Sequence, residues 1–255
     1  MMAAASPFGL TGRTALVTGA NTGIGQGIAL ALAEAGATVI AAGRSDMGET
    51  QALITEAGGA GHALKVDLQQ QGIAPRVIDQ ANDLAGPLDI LINNAGIIRR
   101  ADALDFSESD WDEVMNVNLK ATFFLAQAFA KSAVDAGRTG RIVNIASLLA
   151  FQGGIRVASY TASKSGLAGL TKLLACEWAA KGINVNAIAP GYIESNNTQA
   201  LRADPDRNDA ILARIPAGRW GRPSDIGGAA VFLASDAAAY VNGAVIPVDG
   251  GWLAR

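Results

Sequence analysis

Short runs rich in valine and isoleucine, apolar along their whole length, alternate in this chain with longer alanine- and leucine-rich stretches of helical period. The runs fall at residues 14–17, 38–42, 63–66, 88–92, 141–145, 183–189 and 244–248. Helical patterns occupy 25–35, 48–57, 74–85, 110–135, 159–181 and 224–234. A strand without a polar face must be covered on both sides, and a helical crossover between successive strands makes them parallel. The alternation therefore predicts an α/β fold of three layers, a seven-stranded parallel sheet with helices on both faces. It runs unbroken, so residues 1–255 read as a single domain. One stretch departs from the pattern. Residues 195–220 are polar and arginine-bearing, and they read as an insertion over one edge of the sheet, a lid.

Half of the 255 residues are hydrophobic and 17% are charged, enough apolar material for a large core and too little charge for disorder. A net charge of -3 with no basic block gives nucleic acid little to bind. No window approaches the ~18 uninterrupted apolar residues of a membrane span. The start, Met1-Met2-Ala3-Ala4-Ala5-Ser6-Pro7, lacks the basic and apolar regions of a secretion signal. A soluble, cytoplasmic enzyme or binding protein is expected. One cysteine, Cys176, and one histidine, His62, exclude internal disulfides, thiolate metal clusters and multi-histidine zinc sites, so no metal is expected. Cys176 lies in the apolar run Leu173-Leu174-Ala175-Cys176 and reads as a packed core thiol. His62 reads as an ordinary strand-entry residue.

The first run leads into Thr18-Gly19-Ala20-Asn21-Thr22-Gly23-Ile24-Gly25, which opens a helix. Glycines there permit a tight turn and let backbone amides approach a pyrophosphate at the helix N-terminus. The Gly-x-x-x-Gly-x-Gly spacing resembles the short-chain dehydrogenase/reductase family, and other segments agree. Asp67-Leu68 is similar to its adenine-contacting pair, and Asn93-Asn94-Ala95-Gly96 to its signature after the fourth strand. Pro190-Gly191-Tyr192-Ile193, with Ser195, is similar to its nicotinamide-side motif. The resemblance implies a Rossmann-type domain that holds a nicotinamide dinucleotide. Its contacts would be Gly19, Asn21, Thr22, Gly23, Ile24, Gly25, Asp67, Leu68, Asn94, Ala95, Gly96, Tyr160, Lys164, Pro190, Gly191, Ile193 and Ser195. After the second run, where NAD-preferring members carry an acidic residue, stands Gly43-Arg44-Ser45. Without a carboxylate a 2′-phosphate meets no repulsion, and Arg44, beside Ser45, can pair with it in a fork geometry. That points to NADP(H); NAD(H) is the alternative if Arg44 only stacks on adenine.

Tyr160-Thr161-Ala162-Ser163-Lys164 begins a long helix, where i and i+4 share a face and set the phenol beside the ammonium. Ser147 stands thirteen residues earlier, at the carboxyl end of a strand, where open α/β sheets bind ligands. Asn118, in Asn116-Val117-Asn118, matches the fourth catalytic position of the family, so the resemblance fills all four: Asn118, Ser147, Tyr160 and Lys164. Such a site oxidises an alcohol or reduces a ketone. A tyrosine titrates near ~10, and bringing it to about 7 takes roughly 4 kcal/mol in favour of phenolate. An ammonium about 5 Å away, at an effective dielectric of about 20, supplies roughly 3 kcal/mol. Lys164 is therefore expected to do most of the activation, with the charge of oxidised nicotinamide adding the rest. Ser147 is expected to hydrogen-bond the substrate oxygen. The resemblance gives Asn118 a water linked to Lys164.

Three polar segments converge on this cleft: Arg99-Arg100, Phe151-Gln152-Gly153-Gly154-Ile155-Arg156, and Asn196-Asn197-Thr198-Gln199 with the lid arginines. Few aromatics lie among them, which suits a polyhydroxy acid better than a steroid or a long acyl chain. Arg99 or Arg156 is expected to pair with a substrate carboxylate and Gln152 to contact a hydroxyl. These segments, together with Arg214-Ile215-Pro216-Ala217-Gly218-Arg219-Trp220-Gly221 and the ending Val248-Asp249-Gly250-Gly251-Trp252, resemble the family's sugar-acid dehydrogenases. Those interconvert keto and hydroxy forms of deoxy-hexonates. A gluconate dehydrogenase, a 3-oxoacyl thioester reductase and a non-catalytic dinucleotide-binding regulator are the competing readings. Helices 110–135 and 159–181 are too apolar for a monomer's surface. The resemblance implies a homotetramer, with the Trp252 tail reaching across.

Overall fold

The computed structural model describes residues 6–255; residues 1–5, on which the reading of the chain's start partly rests, lie outside the described residues. The first half runs β1 (Thr14–Thr18), α1 (Gly23–Glu34), β2 (Thr38–Gly43), α2 (Gly48–Glu56), β3 (Ala60–Lys65), α3 (Ala74–Ala85), β4 (Ile90–Asn93), α4 (Glu108–Met115) and α5 (Thr122–Asp135). The second half runs β5 (Gly140–Ile145), α6 (Ala158–Trp178), β6 (Ile183–Pro190), α7 (Gln199–Ala203), α8 (Pro205–Arg214), α9 (Pro223–Ala234) and β7 (Val245–Val248). The seven strands form one sheet in the order β3-β2-β1-β4-β5-β6-β7, every pair parallel. Chain order reverses between β1 and β4. The crevice outside their carboxyl ends is where an open sheet takes its ligands.

The uniformly apolar strands are explained by cover on both faces. Leu16, Ile40 and Leu91 pack with Val77, Ile78, Leu125 and Phe129 of α3 and α5. On the other face Val17, Val39 and Ile92 meet Ile28, Leu32, Ile226 and Leu233 of α1 and α9. Each such fully buried side chain contributes roughly 1.5–3 kcal/mol. The edges are less covered. β3 starts at Ala60, so Gly61 and His62 lie inside it rather than before it. At the far edge β7 carries Pro247, which has no N–H to offer a further strand. Among the described residues no helix is long and apolar enough to cross a membrane.

Four local features differ from the sequence reading. The helix expected over 110–135 begins at Glu108, where the Ser107 hydroxyl accepts the Asp110 N–H at 3.1 Å, and a π-helical turn over Asn116–Ala121 splits it. A wider turn leaves the hydrophobic period almost unchanged, so composition hides it. The stretch 195–220, read as a polar insertion with no helix assigned to it, contains α7 and α8: Asp204 caps α8 through the Arg207 N–H at 3.2 Å, with Pro205 at its first position. Cys176 is exposed, not core, because Leu174 and Ala175 supply the buried face of α6 at that turn. Trp252 is 4% exposed and packs on its own chain, against Leu148, Ile211, Ile215 and Trp220.

Candidate active site

The turn between β1 and α1 is braced from across the crevice. Asn94 Nδ2 donates to the carbonyls of Thr18 at 2.9 Å and Gly19 at 3.0 Å. The Thr18 hydroxyl accepts the N–H groups of Asn94 and Ala95, each at 3.0 Å, and donates to the Ile92 carbonyl at 3.2 Å. Gly19 has φ of 65°, and a Cβ there would come within 2.9 Å of Ala95 Cα. A Cβ on Gly25 would run into the Gly19 carbonyl. The turn therefore stays thin, and the first N–H groups of α1 remain free for an anion.

A cleft of about 310 Å³ opens beside it. Gly19, Asn21, Thr22, Gly23, Ile24, Gly25, Asn94, Ala95, Gly96, Tyr160, Lys164, Pro190, Gly191, Ile193 and Ser195 all line it. An adjoining hollow of about 200 Å³ holds Arg44, Ser45, Asp67 and Leu68 and shares Gly19, Asn21, Ala95 and Gly96 with the cleft. The two make one trough over the switch in strand order. Arg44 is exposed at its far end, and among the described residues no carboxylate pairs with it.

Tyr160 and Lys164 come from the first two turns of α6. Lys164 Nζ lies 5.6 Å from the centre of the Tyr160 ring and donates to the Ile145 carbonyl at 2.6 Å. A buried chain of hydrogen bonds fixes α6 against the sheet: Asn93 to Asn144 at 2.9 Å, Asn144 to the Thr171 hydroxyl at 3.0 Å, and Thr171 to the Leu167 carbonyl at 2.8 Å. Ser147 accepts the Leu149 N–H at 3.2 Å, and its hydroxyl stands close enough to the phenol to favour the phenolate. Asn118 sits in the π-helical turn, 1% exposed. Its side-chain amide is taken up by Ile97, accepting that residue's N–H at 2.8 Å and donating to its carbonyl at 2.9 Å. It thus holds the loop after β4 beside Lys164, so any water it offers the lysine must be held by its main chain. π-turns recur at functional sites for this kind of displacement.

The electrostatics depart from the expected balance. Burial pushes the Tyr160 phenol above the ordinary tyrosine value, with Ser147 and the positive Arg100 pulling back. Burial likewise lowers the Lys164 ammonium to about 8. A low-dielectric pocket penalises both charges, so the lysine's attraction alone does not produce phenolate in the free chain. The phenol stays protonated at neutral pH.

Arg99, Gln152 and Arg156 do not line the cleft. Arg99 pairs with Glu113 at 2.7 Å and Asp110 at 3.4 Å, both on α4. Arg156, whose φ is 63°, pairs with Asp102 at 3.4 Å. Arg100, the second residue of the Arg99-Arg100 segment, lies nearer the cleft. It donates to the Asn197 carbonyl at 2.9 Å, and Asn196, Asn197 and Thr198 line the cleft with it nearby. Neighbours in an extended segment point opposite ways. One of the two arginines had to face the acids of α4, but nothing in the sequence says which.

A family model described as enoyl-(acyl carrier protein) reductase matches residues 19–253. A 2-dehydro-3-deoxy-D-gluconate 5-dehydrogenase of Escherichia coli (strain K12) is 57% identical over 250 residues, 98% of this chain and 99% of the relative. A protein of the same name from Dickeya dadantii (strain 3937) is 55% identical over 97% of this chain and 98% of its own. The crystal structure of an Agrobacterium tumefaciens protein with bound NADP, provisionally named a 2-deoxy-D-gluconate 3-dehydrogenase, superposes with a TM-score of 0.93 at 65% identity, covering 98% of this chain and 100% of that one.

Proposed function

The chain belongs to the short-chain dehydrogenase/reductase family, and on that premise we propose that it is an NADP(H)-dependent 2-dehydro-3-deoxy-D-gluconate 5-dehydrogenase. The observation that carries this reading is the trough itself. A thin glycine turn, an arginine that pairs with no carboxylate among the described residues at one end, and a half-buried Tyr160 beside a buried Lys164 at the other share one trough. The residues fit NADP: the free N–H groups of α1 suit a pyrophosphate, and Arg44 with Ser45 suits a 2′-phosphate. A bound nicotinamide supplies or accepts the hydride. The chain does the rest.

In the reducing direction the phenol of Tyr160, in the cleft wall, donates its proton to the ketone oxygen as that oxygen gains negative charge. Ser147 donates to the same oxygen and stabilises it. The Lys164 ammonium then balances the phenolate left behind. In the oxidising direction the same groups run backwards, and the positive charge beside the phenol makes its ionisation affordable. The walls favour a sugar acid over an acyl thioester. They carry Asn196 and Asn197, with Arg100 bridging to the lid. Since Arg99 and Arg156 are ion-paired, Arg100 is the cation we assign to a substrate carboxylate. Residues 195–220 act as the lid, tied to both walls through Arg100–Asn197 at 2.9 Å and Asn196–Thr22 at 3.5 Å.

Initial rates on a panel decide the substrate. A deoxy-hexonate ketone with NADPH is expected to be turned over with kcat/KM at least about 10²-fold above an acetoacetyl thioester, a gap of roughly 3 kcal/mol. A thioester preferred over every hexonate would overturn the reading. The protein works in the cytoplasm as a homotetramer. Phe124 and Val134 on α5 and Leu173 and Cys176 on α6 are exposed, an apolar surface that a second copy would cover. Light scattering is expected to give four chains per particle; a monomer at micromolar concentration would contradict the assembly.

A further inference from the structure

We propose that Trp252 and Arg214 are positioning residues: they lock the side-chain amide of Gln152, on the loop between Ser147 and Tyr160 and outside the cofactor cleft, so that its two N–H groups stand as fixed donors for an oxygen of a substrate that extends beyond that cleft. The proposal rests on the hexonate reading above and adds to it how such a substrate is told from a plain ketone.

Gln152 Oε1 accepts from the indole Nε1 of Trp252 at 3.1 Å and from Arg214 at 3.4 Å. Indole and guanidinium can only donate. An amide between them has one orientation, because flipping it would set its NH₂ against two donors. Arg214 is itself held in place, its guanidinium lying 4.0 Å from the centre of the Trp252 ring. Trp252 in turn is buried beside Tyr192, with ring centres 4.6 Å apart. The tail that carries it is clamped by Asp249, which accepts the N–H groups of Gly251 at 2.8 Å and Leu253 at 2.9 Å. Gln152's own N–H donates to the Leu148 carbonyl at 3.1 Å, which fixes its backbone in the loop leading from Ser147 to Tyr160. Tail, lid helix and catalytic loop thus meet on one side chain, and among the described residues nothing accepts its Nε2 hydrogens.

A donor pair fixed in this way rewards an oxygen and penalises its absence. A ligand that covers the amide with a methylene leaves polar groups unpaired, which discriminates more strongly than an added contact does. Trp252→Phe keeps the ring and the stacking surface for Arg214 while removing the N–H. It is expected to lower kcat/KM for the hexonate ketone about tenfold, through KM, the size of one hydrogen bond left unmade. For a small ketone with no neighbouring oxygen the change is expected to stay below about twofold. Gln152→Ala should give the same pattern, and the double variant should fall no further than Gln152→Ala alone, since Trp252 acts through Gln152. Arg214→Met repeats the test without altering the tail, should the phenylalanine variant melt at lower temperature. Variants that discriminate the two ketones as the wild type does, or a double variant whose loss is the product of the two, would overturn the proposal. If the wild-type enzyme reduced no hexonate, the substrate reading would fall, and the cycle is then read on the oxygenated ketone that it does reduce.

Discussion

Replacing Tyr160 by phenylalanine is expected to cut turnover of the hexonate ketone by about 10³-fold, the middle of the range for a positioned proton donor, while NADPH binding persists. No neighbour can stand in. The Lys164 ammonium is engaged by the Ile145 carbonyl at 2.6 Å and sits 5.6 Å from the ring whose hydroxyl it serves. Ser147 is a far weaker acid. Phenylalanine keeps the ring that forms part of the cleft wall, and the proposed cofactor would rest mainly on the glycine turn and the hollow around Arg44. Single-turnover oxidation of pre-bound NADPH separates chemistry from binding. Turnover within tenfold of wild type would remove Tyr160 as the proton donor.

Lys164→Met is expected to lose about 10² in turnover and yet to stabilise the free protein at neutral pH. The catalytic loss follows from roughly 3 kcal/mol of attraction between an ammonium and a phenolate about 5 Å apart. The gain in stability follows from burial. Lys164 titrates at about 8 in the fold against an ordinary 10.5. Holding it charged inside therefore costs about 3 kcal/mol at pH 7. That cost is fully present below about 8 and fades as pH rises toward 10.5, because the fold prefers the neutral amine. Methionine removes the charge and forfeits a charge-assisted hydrogen bond worth about 2 kcal/mol, leaving a net gain of about 1 kcal/mol at pH 7. Above about pH 10 the advantage should be gone. Urea unfolding at the two pH values checks this; a Lys164→Met chain less stable at pH 7 would show that burial does not strain the lysine. Stability given up for function is common at such sites.

The sheet was legible because its strands are buried on both faces, as Ile90, Leu91 and Ile92 are, and a run of that kind has few alternatives. The lid helices were not, because their signals are capping signals. Asp204-Pro205 marks the start of α8, but its apolar residues, Ile211 and Leu212, come only at its end, too few to show a helical period. Cys176 misled for the opposite reason: a helix apolar on two sides has more than one inward face to choose from. At the site, spacing sufficed to set Tyr160 beside Lys164, since a helical turn enforces it. The balance of their charges depends on how deeply both are buried, which spacing does not contain. The ion pairs of the two candidate substrate arginines were not legible. Asp102, Asp110 and Glu113 become neighbours of Arg156 and Arg99 only once the loops after β4 and β5 and the start of α4 are folded together.

Everything in the mechanism depends on a carbon of the sugar acid and the nicotinamide meeting above the phenol of Tyr160. Supplying NADPH deuterated at the transferring position of its nicotinamide ring and examining the product by mass spectrometry and proton NMR tests that directly. One deuterium on the carbon that bears the new hydroxyl, formed by the wild type and not by Tyr160→Phe, is the predicted result. Product without deuterium at that carbon, or equal labelling from both proteins, would contradict it.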